Sequence, residues 1–174
     1  LKKKGMKSLI LDLQDNGGGY MSAAIELADD FLSGGKMLVY TEGANQLKET
    51  HESTAVGDFE SGNLVILVNE SSASASEIVS GAIQDWDRGV IVGRRTFAKG
   101  LVQKPVALPD GAQIRLTVAR YYTPTGRCIQ RPYKENLKNY NKDLIERYNH
   151  GELMHEDSIA FPDSLRYQTL QLKR

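Results

Sequence analysis

Ser74 and Lys99 are the residues of this sequence whose types and positions suit covalent chemistry. A serine hydroxyl becomes an effective nucleophile only when a neighbouring base takes its proton. A lysine amine serves as that base when burial away from carboxylates lowers its pKa from the usual ~10.4 and leaves it uncharged. Lys99 lies in TFAKG, between two apolar segments that are expected to shield it from water. The pair is therefore compatible with a Ser/Lys dyad, a known variant of the serine-nucleophile arrangement.

Simpler interpretations of the same segments stay open at this point. Ser74 and Glu77 fit the capping box S-x-x-E, in which the serine only starts a helix, and spacing alone favours this role. The three glycines at 17–19 also suit a plain tight turn. They match neither of the common glycine-rich nucleotide motifs, which argues against nucleotide binding.

A histidine base is another alternative, and the chain has three candidates, His51, His150 and His155. His51 lies in a polar connection, and the other two lie in a charged region near the end of the chain. None of the three is predicted to lie at a strand end or in a glycine-rich turn, where a rigid site would place it. The sequence therefore disfavours a Ser-His-Asp triad.

The apolar pattern predicts the elements that must position these residues. Short apolar runs predict strands, and apolar residues at helical spacing predict helices. The predicted strands are 8–13, 37–40, 63–69, 89–93, 101–108 and 112–119, and the predicted helices are about 20–33, 74–86 and 136–148. Residues 41–62 are predicted to be a long polar connection, and the alternation in 112–119 predicts one buried face. This order predicts an α/β fold with a parallel-rich sheet, flanking helices and an added β-hairpin.

The junction between the strand at 63–69 and the helix at 74–86 places Ser74 at a helix start. The first backbone N–H groups of a helix have no partner inside the helix, so they can stabilise the negative charge of an oxyanion. The glycine loop at 17–19 leaves its own strand at the carboxyl end, the edge of a parallel sheet where ligands bind. The sequence therefore predicts that this loop supplies a second oxyanion donor.

Composition limits the function classes. The 174 residues are 40% apolar and 25% charged, as in a globular domain, and 22 basic residues balance 22 acidic ones. Nucleic acid is therefore not an expected partner. The single cysteine, Cys128, excludes an intrachain disulfide and a multi-thiolate metal site, and no cofactor is expected. No apolar run approaches the ~18 residues of a membrane span. The opening LKKKG does not read as a signal peptide, so the chain is expected to be part of a larger protein.

Three segments in order, LILDLQDNGGG, LVILVNESSASASEIVSGAIQD and GVIVGRRTFAKGLVQ, resemble the carboxyl-terminal processing peptidases, or tail-specific proteases, of peptidase family S41. The resemblance covers about residues 8–125. It implies a Clp protease/crotonase-like fold and a bacterial endopeptidase that cuts protein substrates near their C-termini through an acyl-enzyme. It also implies an exported protein of the periplasm or cell envelope. Residues 1–128 are expected to be the peptidase core, and 129–174 a charged, partly helical insertion or extension.

The resemblance also implies a role for individual residues. Ser74 would be the nucleophile, Lys99 the general base and later acid, and Gln103 the group that orients the lysine. The N–H groups of Gly19 and Ala75 would form the oxyanion hole, with Gly18 as the alternative to Gly19. Glu77 is also a motif residue, and its role could be capping alone. One departure concerns Ala98, which replaces the usual glycine of TFGKG. Because alanine disfavours positive φ, an ordinary backbone or a slightly shifted loop is expected there.

The expected partner is a protein or peptide substrate. Family members typically carry a PDZ domain that captures a substrate C-terminus by strand addition, and it is expected elsewhere in the full-length protein. Oligomerisation is left open. Two other functions on the same fold are a non-catalytic ligand-binding module and an acyl-CoA enzyme. Retention of Ser74, Lys99 and Gln103 argues against the first, and the lack of an adenine-pocket signature argues against the second.

Overall fold

The computed structural model describes residues 2–132, 137–155, 158–159 and 166–174. A short 3-10 helix, Lys2–Lys4, precedes the regular elements. In chain order these are β1 (Ser8–Asp12), α1 (Met21–Asp29), β2 (Met37–Gly43), β3 (Gln46–Glu52), β4 (Asn63–Val68), α2 (Ala75–Asp85), β5 (Val90–Gly93), β6 (Leu101–Ala107), β7 (Gln113–Tyr122) and α3 (Leu137–Asn149). The chain forms two compact units, one of Leu1–Gln130 with Gln168–Arg174 and one of Arg131–Tyr167.

A parallel sheet of three strands in the order β1-β4-β5 lies at the centre of the first unit. β4 is a mainly aliphatic strand whose Leu64, Ile66 and Val68 are buried, while Val65 and Leu67 between them are half-buried. Because β1 and β5 both run parallel to β4, the carboxyl ends of all three strands meet at one sheet edge. The predicted α/β class is confirmed, and the loops that leave this edge carry the candidate site.

Helices α1 and α2 bury their apolar sides in the core of this unit. In α2, Ile78, Val79 and Ile83 are buried at helical spacing, as the sequence predicts. Helix α1 is shorter than the predicted 20–33, because it ends at Asp29 and its last apolar residues follow in a turn. The packing of α2 against the core fixes its first turn, and with it Ser74, on a rigid base.

A second sheet is antiparallel and has the order β3-β2-β7-β6. The sequence does not predict β3, which lies inside the supposed polar connection at 41–62. Its residues are mostly polar and exposed, and Leu47 is 90% exposed. An edge strand of this kind is held by hydrogen bonds to β2, so its sequence lacks the apolar alternation of a half-buried strand.

The hairpin of β6 and β7 also corrects an expectation. The alternation in 112–119 predicts one buried face, yet Ile114 and Leu116 are 50% and 53% exposed. In β7, Arg120–Tyr122 pair with β2, whereas the residues before Arg120 pair with β6 alone. The outer half of the hairpin therefore projects from the sheet, with neither of its faces buried among the described residues.

The last residues of the chain pack against the end of α2. The carboxylate of Asp87 is 2% exposed and bonds the Leu172 N–H at 2.9 Å and the Arg174 guanidinium at 3.0 Å. Burial alone would raise the pKa of Asp87, but hydrogen bonds from the C-terminal residues outweigh it and hold the pKa below its usual value. Residues 168–174 are thus tied to the core by a charged carboxylate.

The second unit contains α3, which agrees with the predicted helix at 136–148 apart from residue 136, outside the described residues. Its buried Arg147 pairs with Glu152 at 2.8 Å. Among the described helices, none has the length and apolarity that a membrane crossing needs.

Candidate active site

Ser74 lies between β4 and α2 in a strained backbone conformation. It is the N-cap residue of α2, with φ 58° and ψ −113°. An ordinary N-cap residue has extended backbone angles, so Ser74 differs from a serine that only caps a helix. A non-glycine residue in such a region costs about 1–3 kcal/mol, and strain of this size is typically found at functional sites.

The capping interaction predicted from S-x-x-E is also present. The Glu77 carboxylate accepts a hydrogen bond from the Ser74 N–H at 2.8 Å, and the Glu77 N–H donates to the Ser74 carbonyl at 2.9 Å. The two interpretations of Ser74 therefore do not compete, because Glu77 binds the backbone of Ser74 and not its hydroxyl.

Neighbouring serines of the run have structural roles. The buried Ser72 hydroxyl donates to the Leu13 carbonyl at 2.6 Å, which joins the end of β1 to the turn after β4. The Ser76 hydroxyl donates to the carbonyl of Asn16 at 3.0 Å, and the Ser80 hydroxyl donates to the Ser76 carbonyl at 2.9 Å. The serine-rich segment thus attaches α2 to the glycine loop.

The glycine loop passes directly over Ser74. A side chain at Gly18, where φ is +88°, would place its Cβ 2.5 Å from the Ala73 carbonyl and 2.7 Å from the Ala75 nitrogen. Position 18 therefore needs glycine both for its angle and for the close approach. Asn16 fixes the loop, since its side-chain oxygen accepts the Gly18 N–H at 2.9 Å and its carbonyl accepts the Ala73 N–H at 3.0 Å.

Two backbone N–H groups at this junction are unused. Among the described residues, neither the Ala75 nor the Gly19 N–H donates a hydrogen bond, whereas the Gly18 N–H is engaged by Asn16. Ala75 is the first residue of α2, where the helix itself offers no acceptor. Both residues line one pocket, so a ligand atom in that pocket has two donors nearby.

Glu77 connects Ser74 to the loop that carries Lys99. One carboxylate oxygen of Glu77 accepts the backbone N–H groups of both Ser74 and Lys99, each at 2.8 Å. The other oxygen accepts the Thr96 hydroxyl at 2.6 Å and the Ala98 N–H at 2.7 Å. The two backbone nitrogens of the candidate dyad are therefore no further apart than the sum of two hydrogen-bond lengths.

The lysine loop is anchored on both sides of Lys99. The Phe97 N–H donates to the Ser72 carbonyl at 2.9 Å, and the Gly100 N–H donates to the Gln130 side-chain oxygen at 2.9 Å. Lys99 itself is exposed, so the expectation that its neighbours in this chain shield it from water is wrong. The loop is held by hydrogen bonds of its backbone and of the Thr96 hydroxyl, and none of these bonds uses the lysine amine.

Two further expectations concern this loop. Ala98 has φ 69°, so its backbone is left-handed and not ordinary, although the residue is alanine. Gln103 lies on β6 opposite Thr117, just after an irregularity in the pairing of the strands, and it is exposed. Within the described residues, no hydrogen bond joins Gln103 to Lys99.

Comparison with known proteins places this arrangement in a family. The model of "Peptidase family S41" matches residues 1–136. The chain belongs to peptidase family S41. It is 45% identical over 132 residues to a carboxyl-terminal-processing protease of a Picosynechococcus strain, covering 75% of this chain and 31% of the relative. It is 39% identical over 131 residues to a chloroplastic C-terminal processing peptidase of Tetradesmus obliquus, covering 75% of this chain and 28% of the relative.

A solved structure described as a photosystem II D1 C-terminal processing protease has the same fold, with a TM-score of 0.69 and 39% identity. It aligns with 74% of this chain, and the aligned part is 33% of that structure. The Clp protease/crotonase-like class expected from the sequence is confirmed by this S41 match. The chain spans about a third of the length of the relatives that it matches.

The left-handed backbone of Ala98 yields a prediction for the stability contributed by the lysine loop. Replacing Ala98 with glycine should raise the free energy of unfolding by roughly 0.5–1 kcal/mol, because glycine relieves a left-handed strain of about 1–2 kcal/mol but has more freedom to lose on folding. The hydrogen bond from the N–H of residue 98 to the Glu77 carboxylate is retained in the glycine variant. Denaturant unfolding of the full-length protein measures the change. Ala23→Gly in α1 is the control, and it should lower stability by about 1 kcal/mol. A lower stability for Ala98→Gly would contradict the strain argument.

Proposed function

We propose that this chain is the catalytic core of a serine endopeptidase that hydrolyses peptide bonds through a Ser74/Lys99 dyad. The observation that carries the proposal is the single Glu77 oxygen bonded to the backbones of both residues at 2.8 Å. A glutamate that only caps a helix does not need to bind a second loop, whereas a nucleophile and its base must be held at a fixed distance from each other.

The residues divide the reaction as follows. Neutral Lys99 takes the proton of the Ser74 hydroxyl while the Ser74 oxygen attacks the scissile carbonyl carbon. The N–H groups of Ala75 and Gly19 stabilise the resulting oxyanion. The intermediate collapses when Lys99 returns the proton to the leaving amine, which leaves an acyl group on Ser74. Water then gives a proton to Lys99 as its oxygen attacks the ester carbonyl. The Ser74 oxygen leaves and takes that proton back from Lys99, which releases the acid and restores both residues.

The exposed position of Lys99 sets a condition on this mechanism. Because the amine is exposed, substrate bound over the loop must exclude water from it before it can accept the Ser74 proton. Gln103, four residues further along the chain, is the side chain that we propose to orient the amine in that state. The chain thus becomes competent when a peptide covers it.

The proposed substrates are proteins cut near unstructured C-termini. The relatives are described as processing C-termini, and an extended chain end can enter an open site without unfolding a domain. The rim of the site suits this, because Tyr20 and the glycine loop lie at the surface.

A fluorophosphonate tests the nucleophile. The full-length protein should lose its cleavage of an unfolded protein substrate as one phosphonyl group bonds to the Ser74 oxygen and fluoride departs. Mass spectrometry locates the group. The exposed Ser71 in the same segment is the internal control and should stay unmodified, as should Ser74 in heat-denatured protein. Cleavage that continues after full labelling, or a label confined to another serine, would refute the proposal.

A further inference from the structure

Asn16 lies at the start of the glycine loop, and its side-chain oxygen bonds to both segments that carry the unused N–H groups. This oxygen accepts the Gly18 N–H at 2.9 Å and the Ser76 hydroxyl at 3.0 Å. Gly18 directly precedes Gly19 in the chain, and Ser76 directly follows Ala75. Each bond partner of this one oxygen is therefore the chain neighbour of a residue whose N–H is unused.

The three glycines of the loop have little else to hold them in place. Among the described residues, the one hydrogen bond made by residues 17–19 is that from the Gly18 N–H to Asn16. A side chain built at Gly17 or Gly19 would meet no heavy atom within 4 Å beyond its chain neighbours, so packing fixes neither residue. Consecutive glycines also have much backbone freedom. Without Asn16, the loop could therefore adopt several conformations.

Asn16 is itself held by bonds that do not depend on its side chain. Its carbonyl accepts the Ala73 N–H at 3.0 Å. One residue earlier, the Asp15 N–H donates to the Asn69 side-chain oxygen, and the Asn69 amide donates to the Asp15 carboxylate, each at 3.0 Å. These bonds join the loop after β1 to the loop after β4. Removing the Asn16 side chain should therefore release residues 17–19 and leave the junction of the two loops intact.

An oxyanion hole needs both of its donors within about 2.7–3.1 Å of the same oxygen atom. We propose that Asn16 is a positioning residue of the oxyanion hole, and that its side-chain oxygen aligns the Gly19 N–H with the Ala75 N–H. The inference rests on the proposed function. Asn16 acts through its bonds to Gly18 and Ser76, which hold the loop and the first turn of α2 in one arrangement.

Cleavage of an unfolded protein substrate by the full-length protein tests this role. Asn16→Ala should lower kcat by roughly 10²-fold, the effect of losing one oxyanion donor, with KM nearly unchanged. Ser76→Ala should have a smaller effect. The double variant should be no worse than Asn16→Ala, because both changes remove the same contact. Asn63→Ala is the matched control and should keep its kcat, since this exposed asparagine also bonds to a serine, Ser8, but at the opposite end of β4.

A peptide aldehyde gives a measurement that a merely structural role would not change. The Ser74 oxygen bonds to the aldehyde carbon, the π electron pair of the C=O bond moves to the aldehyde oxygen, and the Ser74 proton passes to Lys99. The product is an oxyanion, so its inhibition constant should rise roughly 10²-fold in Asn16→Ala. The inhibition constant of the corresponding peptide alcohol, which forms no oxyanion, should stay the same. Circular dichroism confirms that the variant is folded.

The outcomes separate this inference from the proposed function. If cleavage depends on Ser74 but folded Asn16→Ala keeps its kcat and its affinity for the aldehyde, the function stands and the role of Asn16 is wrong. Equal losses of affinity for the aldehyde and the alcohol would also overturn it. Should Asn16→Ala fail to fold, Ser76→Ala decides, and an unchanged ratio of the two inhibition constants would refute the inference. If cleavage does not depend on Ser74, both proposals fail.

Discussion

Replacing Ser74 or Lys99 with alanine should each lower kcat/KM for an unfolded protein substrate by about 10³-fold or more, and the double variant should be little worse than either. The reason is that, in the proposed mechanism, the two groups act in one proton transfer. Without the hydroxyl no acyl-enzyme forms, and without the amine nothing accepts its proton. The measurement is cleavage by the full-length protein at several substrate concentrations, so that kcat and KM are obtained separately. We expect the loss in kcat, because neither side chain is needed to hold the substrate chain.

Two matched controls separate this effect from damage to the fold. Ser71→Ala removes an exposed hydroxyl three residues before Ser74, and Lys104→Ala removes an exposed amine from β6, five residues after Lys99. Both should retain activity near that of the unsubstituted protein. If Ser74→Ala retained cleavage within tenfold, Ser74 would be only a helix cap. Equal losses in the controls would point to an altered fold.

The sequence predicted the parts of this site that depend on local pattern. The aliphatic run of β4 and the buried stripe of α2 are both found, because each residue there serves its own element and the core at once. The ordered motifs placed Ser74 and Lys99 in one site, and their backbones do meet on Glu77. Local spacing alone favoured a helix cap for Ser74, and the cap is present beside the strained conformation.

Other features depend on contacts between distant segments, which a sequence pattern does not encode. The positive φ of Ser74 is held by Glu77 and by the loop of Asn16, so no local propensity predicts it. Lys99 is exposed although apolar strands flank it in sequence, because its burial would need a distant segment to pack over its loop. The strand β3 has a polar sequence because its hydrogen bonds to β2, and not buried side chains, hold it. Asn16, Ser72 and Thr96 lie inside the three motif segments, but the sequence assigned them no role, and each bonds to a different segment from its own.

Replacing Glu77 with glutamine should lower the free energy of unfolding by about 3 kcal/mol or more. Glu77 is only 5% exposed, and its carboxylate accepts four hydrogen bonds, two on each oxygen. An amide keeps one oxygen, but its NH₂ group faces the donors that bonded to the other. Two charge-assisted bonds of about 1.5–3 kcal/mol each are lost, and buried donors face a donor. Glu26→Gln in α1 is the control, because its side chain is exposed and exposed substitutions of this kind change stability by less than about 0.5 kcal/mol.

The same substitution should lower kcat by roughly 10²-fold in protein that is still folded. Glu77 is a positioning residue, since its carboxylate sets the distance between the backbones of Ser74 and Lys99, and a misplacement of about 1 Å at a reacting group has an effect of that size. A residue with a merely structural role would lower activity only in proportion to the unfolded fraction. The test is therefore run well below the unfolding midpoint, with circular dichroism to confirm the folded state. A reduced kcat with nearly unchanged KM supports the positioning role, whereas an unchanged kcat in folded Glu77→Gln would show that the lysine loop keeps its register without this carboxylate.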